Sequence, residues 1–516
     1  MSNKSLIINN YQQLQNGSDI RGVALPGVIG EEVNLTSEVA TAIGKSFANW
    51  LSKQCNKLTA ELTISVGRDS RLSGQGLRKS LVEGIISCGC QVYDFGIAST
   101  PAMFMSTVHP DFKCDGAIML TASHLPFNRN GFKFFTVNGG LEKQDIKAIL
   151  KLAEANNFAE AAVKGTVKES NFIAIYGAGL ANQVREAVKH PDNYEQPLTG
   201  LKIVVDAGNG AGGFYVDEVL NPLGADTTGS QFLDPDGTFP NHIPNPENSE
   251  AMASIQQAVL DNQADFGIIF DTDVDRVAAV DHLGNELNRN RLIALISAIV
   301  LQEHPGSTIV TDSITSDGLA EFIEQNLQGV HHRFKRGYKN VINEAIALNN
   351  KQQESWLAIE TSGHAAMKEN YFLDDGAYLA TKLLSELAKA KLKNQLITDL
   401  ITDLKGPTES EEFRLKIKTK DFKEYGNQLI TELRRFAETQ TNWLVVPNNY
   451  EGVRIACQSA NEQGWLLLRL SLHDPVIPIN IESNVDNGVN AIARKLLVFL
   501  QGFDQLDLSS LSQINL

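Results

Sequence analysis

The chain has 516 residues, 42% hydrophobic and 21% charged, with a formal net charge of −16. At about 150 residues per domain this length fits three or four domains, and the composition is that of a globular protein with apolar material for several cores. So negative a field repels phosphate polyanions and argues against a general binder of nucleic acid or of anionic membranes; a small anionic substrate then requires a local concentration of Lys and Arg.

The first residues, MSNKSLIINNYQQ, carry no apolar signal core, and the longest apolar run, 292–301, falls short of the roughly 20 residues that span a bilayer. The cysteines Cys55, Cys88, Cys90, Cys114 and Cys457 form neither a disulfide framework nor a CxxC motif. A reduced, cytoplasmic protein is expected, with Cys88 and Cys90 of "IISCGCQVYDF" buried between a helix and a strand.

In chain order, "NGSDIRG" (16–22) places Arg21 beside a glycine turn. "AIGKS" (42–46) resembles the end of a Walker loop, but Val39 stands where the first glycine belongs and the stretch has a helical pattern. "TISVGRDSRLSGQGLRKSLVEGI" (63–85) reads as strand, turn and helix, and the theme returns at 202–224 and at 307–326. Three repeats point to repeated α/β domains. Arg68 and Arg71 are candidates for binding phosphate; the competing reading pairs them with Asp69. "TASHLPFNRNGFKFF" (121–135) has the Pro, Asn and Gly of a turn, but also sets Ser123, His124, Arg129 and Lys133 together. It is either a plain surface loop or a serine that handles a phosphoryl group. A serine hydrolase is disfavoured, because G-x-S-x-G is missing and adjacent Ser and His seldom form a triad.

"VVDAGNGAGG" (204–213) contains G-x-G-x-x-G at Gly208, Gly210 and Gly213, with Asp226 about 20 residues on, as in a dinucleotide site. The strand that would carry Asp226 is poor in apolar residues, so a tight strand-to-helix turn is preferred. "FGIIFDTDVDRVAAV" (266–280) flanks Asp271, Asp273 and Asp275 with apolar strands. In an extended segment alternate side chains converge, and three close carboxylates call for a cation. Oxygen ligands suit Mg²⁺. An EF-hand is rejected, because Arg276 and His282 occupy its Gly and Glu positions. Arg276 is placed to hold a phosphate oxygen. His331 and His332 lie in a polar stretch without ligand spacing and are expected to be solvated. "AIETSGHAAMKENYFLDDGAYLA" (358–380) ends a strand at Glu360, Ser362 and His364. This is either a site for sugar hydroxyls or a helix cap made by Thr361 or Ser362, with Asp374 and Asp375 starting the next helix. Joints fall near 163–171, 281–290 and 404–413, and beyond residue 410 alternating strands and two helices predict a smaller α+β domain.

Taken together, "SDIRG", "GRDSR", "TASHLPFNRNGFK", "DAGNGAGG", "DTDVDR" and "ETSGH" resemble, in order and spacing, the motifs of the α-D-phosphohexomutases (phosphoglucomutases and phosphomannomutases) over roughly residues 15–405. The resemblance implies an α/β fold of four domains around a central cleft, three related α/β units with mixed sheets and a smaller C-terminal α+β domain. The expected limits are 1–167, 168–288, 289–405 and 406–516. It implies a mutase that interconverts hexose 1- and 6-phosphates through phosphorylated Ser123 and a hexose 1,6-bisphosphate, the latter also an activator or product. Mg²⁺ would sit on Ser123, Asp271, Asp273 and Asp275. Lys133 would act as acid or base, with Arg21, His124 and Arg276 nearby and His364 assisting on the sugar side. Glu360, Ser362, Lys339, Arg469, Ser471 and His473 would bind substrate. The partners expected are hexose phosphates, with no nucleic acid or membrane, for a monomer or dimer.

The family's C-terminal phosphate cradle, RxSGTEPxxR, reads "RLSLHDPVIP" (469–478) here. Arg469, Ser471 and Pro475 fit; Leu472, His473, Asp474 and Pro478 replace Gly, Thr, Glu and Arg. The bulky Leu472, crowding the backbone cradle, and the lost bidentate arginine are expected to weaken the grip on the non-reacting phosphate. Release of the bisphosphate is the alternative outcome, as in a glucose 1,6-bisphosphate synthase fed by a sugar bisphosphate such as fructose 1,6-bisphosphate. A non-catalytic sugar-phosphate sensor is a third reading, disfavoured by the intact Ser123, Asp residues and Lys133. Leu125, in place of the Asn after TASH, is a milder departure.

Overall fold

The β-branched runs form strands, and their pairing is mixed. In spatial order the first sheet contains Gln15–Asn16, Asp19–Val23, Arg129–Thr136, Gly116–Leu120, Thr63–Arg68, Gln91–Ile97 and Val167–Glu169. Thr63–Arg68 runs parallel to both its neighbours, whereas Arg129–Thr136 is antiparallel to Gly116–Leu120 and to Asp19–Val23. That register sets Arg21 across from Gly131 and Lys133 across from Met119, bringing two cations from distant segments to one side of the sheet. The helices Ser37–Cys55 and Gly74–Ser87 cross where a Cβ on Gly44 would lie 2.3 Å from the Leu81 carbonyl and one on Gly84 2.2 Å from that of Thr41. Only glycine permits this approach. "AIGKS" lies within the first of these helices and makes no nucleotide loop.

The computed structural model describes residues 10–158, 160–471 and 474–512. The chain divides into two units, Met1–Leu292 with Ser362–Asp399 and Ile293–Thr361 with Leu400–Leu516. The first unit also holds a sheet of Ile203–Asp206, Phe266–Phe270, Val277–Asp281 and Glu286–Leu287, in which the first pair is parallel and the others are antiparallel. Residues 271–276 are thus the turn of a hairpin. The glycine-rich segment after Ile203–Asp206 packs closely: a Cβ on Gly210 would lie 2.6 Å from the Thr272 carbonyl in that turn, and one on Gly213 2.2 Å from the Leu233 carbonyl, outside it. Asp226 meets Lys202 only through an isolated bridge. Residues 207–213 form a tight turn between strand Ile203–Asp206 and the helical residues that follow, as preferred, and the glycines allow its close packing. Asp375 caps helix Gly376–Leu392 through Tyr378 N–H.

In the second unit Thr308–Thr311 lies between Val330–Arg333 and Ser355–Ile359, parallel to both. His331 and His332 are not simply solvated: both are half-buried, 2.8 Å from Thr311 Oγ1 and 3.1 Å from Glu344 Oε1. The polar letters around them belong to a strand whose neighbours supply partners, which local composition does not register. The C-terminal part is an antiparallel sheet of Glu409–Lys416, Val476–Ser483, Gly464–Leu468, Val453–Cys457 and Trp443–Val445, with helices Phe422–Glu438 and Gly488–Leu500, matching the α+β expectation. Among the described residues no helix is long and apolar enough to cross a membrane, and Cys88, Cys90, Cys114 and Cys457 are buried.

Two predictions test this packing. Gly210→Ala forces Cβ against backbone that cannot give way, and is expected to cost about 1–3 kcal/mol in denaturant unfolding. Glu482, which accepts Trp465 Nε1–H at 2.9 Å, has its carboxyl pushed up to about 7, chiefly by burial, against the opposing pull of Arg454 and the Trp465 bond. An acid with a raised folded pKa binds its proton more tightly when folded, so its contribution is present at low pH and lost as pH rises from 4.5 to about 7. Glu482→Gln is therefore expected to raise the melting temperature by a few degrees near pH ~8, with a smaller effect near pH ~5.

Candidate functional site

Ser123 lies in the loop that follows strand Gly116–Leu120, with φ +49°, a left-handed backbone that costs a non-glycine residue about 1–3 kcal/mol. Its N–H donates to Thr121 Oγ1 at 2.8 Å, and its hydroxyl donates to Asp271 Oδ2 at 3.0 Å. Arg276 Nη2 donates to the same hydroxyl at 3.0 Å. The strained loop aims the serine at the hairpin turn.

That turn gathers Asp271, Asp273 and Asp275, each buried, with one oxygen from each within 4.8 Å of the others. Their convergence comes from a tight turn with Val274 at φ +65°, not from the extended backbone expected from alternation. Lys133 Nζ bonds to Asp273 Oδ2 at 3.0 Å and, more closely, to Asp275 Oδ2. Arg276 binds Asp271 through Nε at 3.2 Å and Nη2 at 3.0 Å. Thr100 Oγ1 donates to Asp273 Oδ2. Oδ1 of Asp273 and Oδ1 of Asp275 are buried without a hydrogen-bond partner among the described residues. Buried carboxylate oxygens are costly unless paired, so the triad can bind a metal ion, and its all-oxygen donor set suits a hard one.

The charges are mutually tuned. Burial raises Asp271 strongly, helped by the Asp275 charge, and Arg276 offsets only part of this. Burial would also raise Asp275, but Lys133, His364 and Arg276 together hold it far below the usual carboxylate range. Lys133 is held well above the usual lysine range, because Asp273 and Asp275 outweigh its burial. Burial alone favours a neutral His364 ring, but Asp374, 2.5 Å from Nδ1, and then Asp275 push its pKa up to about 9. His124 goes the other way. The protein mass around it, then Arg276, His364 and Arg21, push it down to about 3, and its Nδ1 lies 2.7 Å from Arg276 Nη2.

Arg21 donates to the Thr121 carbonyl and to Asp19 at 2.8 Å, which holds it beneath the Ser123 loop. In the first unit, then, Arg21, Ser123, His124, Lys133, the three aspartates, Arg276 and His364 come together. Ser362, in the same unit, has a buried Oγ with no partner among the described residues; no helix starts at 361–364, so the helix-cap reading falls. In the second unit Glu360 Oε1 accepts Gly337 N–H at 2.5 Å, and Lys339 lies in the first turn of helix Tyr338–Asn350. Arg469 is buried, with Nη1 3.9 Å from Glu451, and its N–H donates to the Pro478 carbonyl at 3.2 Å. Ser471 Oγ accepts Asp474 N–H at 3.3 Å. Leu472 and His473 lie outside the described residues.

Sequence reasoning missed Thr100, Asn245 and Asp374. Asn245 accepts from Arg276 Nη1 at 3.2 Å. Thr100 follows the helix cap Ser99 in "STPAMF", a helix-start signal that says nothing of a carboxylate partner. Arg68 donates to the Asp69 carbonyl at 2.9 Å, and Arg71 is buried beside Asp69, so the pairing reading prevails for Arg71.

Comparison with known proteins agrees with this geometry. Residues 12–160, 181–284 and 288–404 match, in turn, alpha/beta/alpha domains I, II and III of "Phosphoglucomutase/phosphomannomutase". A phosphomannomutase/phosphoglucomutase of Pseudomonas putida is 32% identical over 478 residues, 92% of this chain and 94% of the relative. A phosphoglucomutase of Neisseria gonorrhoeae is 28% identical over 477 residues, 92% and 95% of the two chains. The crystal structure of a phosphoglucomutase/phosphomannomutase family protein from Burkholderia thailandensis superposes with a TM-score of 0.76 at 27% identity, covering 95% of this chain and 97% of that one. Three ordered domain matches, full-length relatives and a serine set against an acidic turn lead to one conclusion: the chain belongs to the phosphoglucomutase/phosphomannomutase family of the α-D-phosphohexomutase superfamily and is a phosphotransferase of that type.

Proposed function

We propose that the protein interconverts hexose 1-phosphates and 6-phosphates, of glucose or mannose, with Ser123 carrying the phosphoryl group and a hexose 1,6-bisphosphate as intermediate. The observation that carries this reading is the approach of Ser123 Oγ to Asp271 and Arg276, both at 3.0 Å, beside two buried carboxylate oxygens that accept no hydrogen bond among the described residues. The domains divide at 1–167, 168–288, 289–405 and 406–516.

Phosphorylation puts about −1.5 to −2 charges on Ser123. Asp271, Asp273 and Asp275, with Ser123 as a further ligand, would hold Mg²⁺, which would supply positive charge for the transferring group and the serine oxygen. Arg276 and Arg21 add fixed cations beside the serine. Lys133, which donates to Asp273 and Asp275, serves as the acid or base of the transfer. His364, held protonated by Asp374, is an acid for the sugar side. His124 stays neutral and orients Arg276. Glu360 and Ser362 bind sugar hydroxyls; Lys339 helps hold the substrate, and Arg469, Ser471 and His473 hold the phosphate that is not reacting. Most of the rate comes from positioning and charge stabilisation.

A second reading rests on Pro478. It lies in strand Val476–Ser483, with its carbonyl engaged by Arg469 N–H, where the family pattern has a phosphate-binding arginine. A looser hold on the bisphosphate favours its release, which makes a glucose 1,6-bisphosphate synthase that recharges Ser123 from fructose 1,6-bisphosphate.

Ser123→Ala is expected to lower turnover by roughly 10⁴-fold or more, with no phosphate detected on the chain by mass spectrometry; retention of activity would reject the serine carrier. A ³¹P NMR time course with Mg²⁺, glucose 6-phosphate and fructose 1,6-bisphosphate separates the two readings. Glucose 1-phosphate growing to equilibrium with only traces of glucose bisphosphate is expected of the mutase. Glucose 1,6-bisphosphate accumulating together with fructose monophosphate marks the synthase.

A further inference from the structure

Arg71 has no place in the chemistry proposed above, yet it makes more contacts with the Ser123 loop than any residue of the acidic turn. Its Nη1 donates to the carbonyls of Pro126 at 2.8 Å and Arg129 at 3.0 Å. Its Nη2 donates to the carbonyls of Leu125, at 2.6 Å, and Ser123. Both terminal nitrogens are thus spent on the backbone of a single loop. Nε faces Asp69 Oδ2 at 3.3 Å, and Asp69 Oδ1 accepts the Arg71 N–H at 2.9 Å, so the carboxylate fixes the direction of the fork. Phe239 covers the guanidinium 5.4 Å away, and the side chain is shut off from solvent.

Ser123 needs such support. Its left-handed backbone is unfavourable for a residue with a Cβ and persists only where the surroundings over-determine it. A planar guanidinium with a fixed fork of donors suits several carbonyls converging from one turn; an ammonium, a point donor on a flexible stem, does not. We infer that Arg71 is the positioning residue of the transfer: by gripping the carbonyls of Ser123, Leu125, Pro126 and Arg129 it holds Ser123 in its left-handed conformation and keeps Oγ aimed at Asp271 and Arg276. It acts through the loop and touches neither substrate nor metal. A misplacement of about 1 Å at the attacking group costs about 10²-fold in rate without weakening substrate binding. The inference rests on Ser123 being the phosphoryl carrier.

The test is steady-state kinetics on Arg71→Lys and Arg71→Ala, with glucose 1-phosphate as substrate and folding checked by circular dichroism. Phosphorylation of Ser123 by glucose 1,6-bisphosphate is followed in parallel by mass spectrometry. Arg71→Lys keeps the charge and loses the fork; its kcat is expected to fall about 10²-fold, with KM little changed and slower phosphorylation of Ser123. In Arg71→Ala, added guanidinium ion is expected to restore part of kcat, which a purely structural role would not produce. Arg71→Lys with wild-type kcat, a loss confined to KM, or an unrescued Arg71→Ala overturns the inference. Failure of Arg71→Lys to fold also overturns it, in favour of a role in stability alone. Ser123→Ala in the same assay separates the two levels. If that variant stays active, the carrier reading fails; if it is inactive while Arg71→Lys is fully active, only the positioning role fails.

Discussion

Three buried carboxylates within one short turn are the constraint to which the first unit answers. Asp271, Asp273 and Asp275 are at most 1% exposed, so solvent screens little of their mutual repulsion. Lys133 and Arg276 sit among them, themselves buried, and each cation is there because a strand or turn brings it. Removing one partner of such a pair leaves a stranded charge at a cost of about 3–5 kcal/mol. The arrangement is therefore all-or-none: sheet register, hairpin turn and glycine packing have to be right together.

Glycine supplies much of that precision. Gly210 presses the second domain's first turn onto Thr272, and Gly376 allows the helix that begins after Asp375 to start 2.7 Å, measured from its notional Cβ, from the Arg276 backbone. Ser123 and Val274 are left-handed without being glycine. Where a side chain is needed for chemistry or packing, strain is tolerated and held by neighbours; where only space is needed, the side chain is absent.

Much of this was legible in the sequence. Apolar runs with polar turns gave the repeated α/β units, and the serine and aspartate motifs carried both residue type and spacing. Alternation along an extended strand points to the triad for the wrong reason, because a hairpin turn does the gathering. Other parts left no trace in spacing. Thr100, Asn245 and Asp374 reach the site only through tertiary contacts, and an arginine that binds backbone carbonyls, as Arg71 does, resembles in sequence one that binds phosphate. His331 and His332 look solvated by composition because their partners, Thr311 and Glu344, lie on other elements. The C-terminal departure was legible as letters, and the strand position of Pro478 gives it a structural meaning.

The separation along the chain of the groups that meet at the site has a consequence for biosynthesis. Ser123 is 148 residues from Asp271, Lys133 142 from Asp275, and Thr100 173 from Asp273. Closing such loops is slow compared with forming local helices, and domains emerge from the ribosome in order. A nascent chain that has completed the first sheet owns its serine and lysine but none of the three carboxylates. Until the hairpin arrives, Lys133 lacks Asp273 and Asp275, the two carboxylates to which it donates in the folded protein. The closing of the hairpin onto the earlier sheet then pairs Lys133 with Asp273 and Asp275, and His364 with its partner Asp374 joins the cluster only once the later part of the chain has been made.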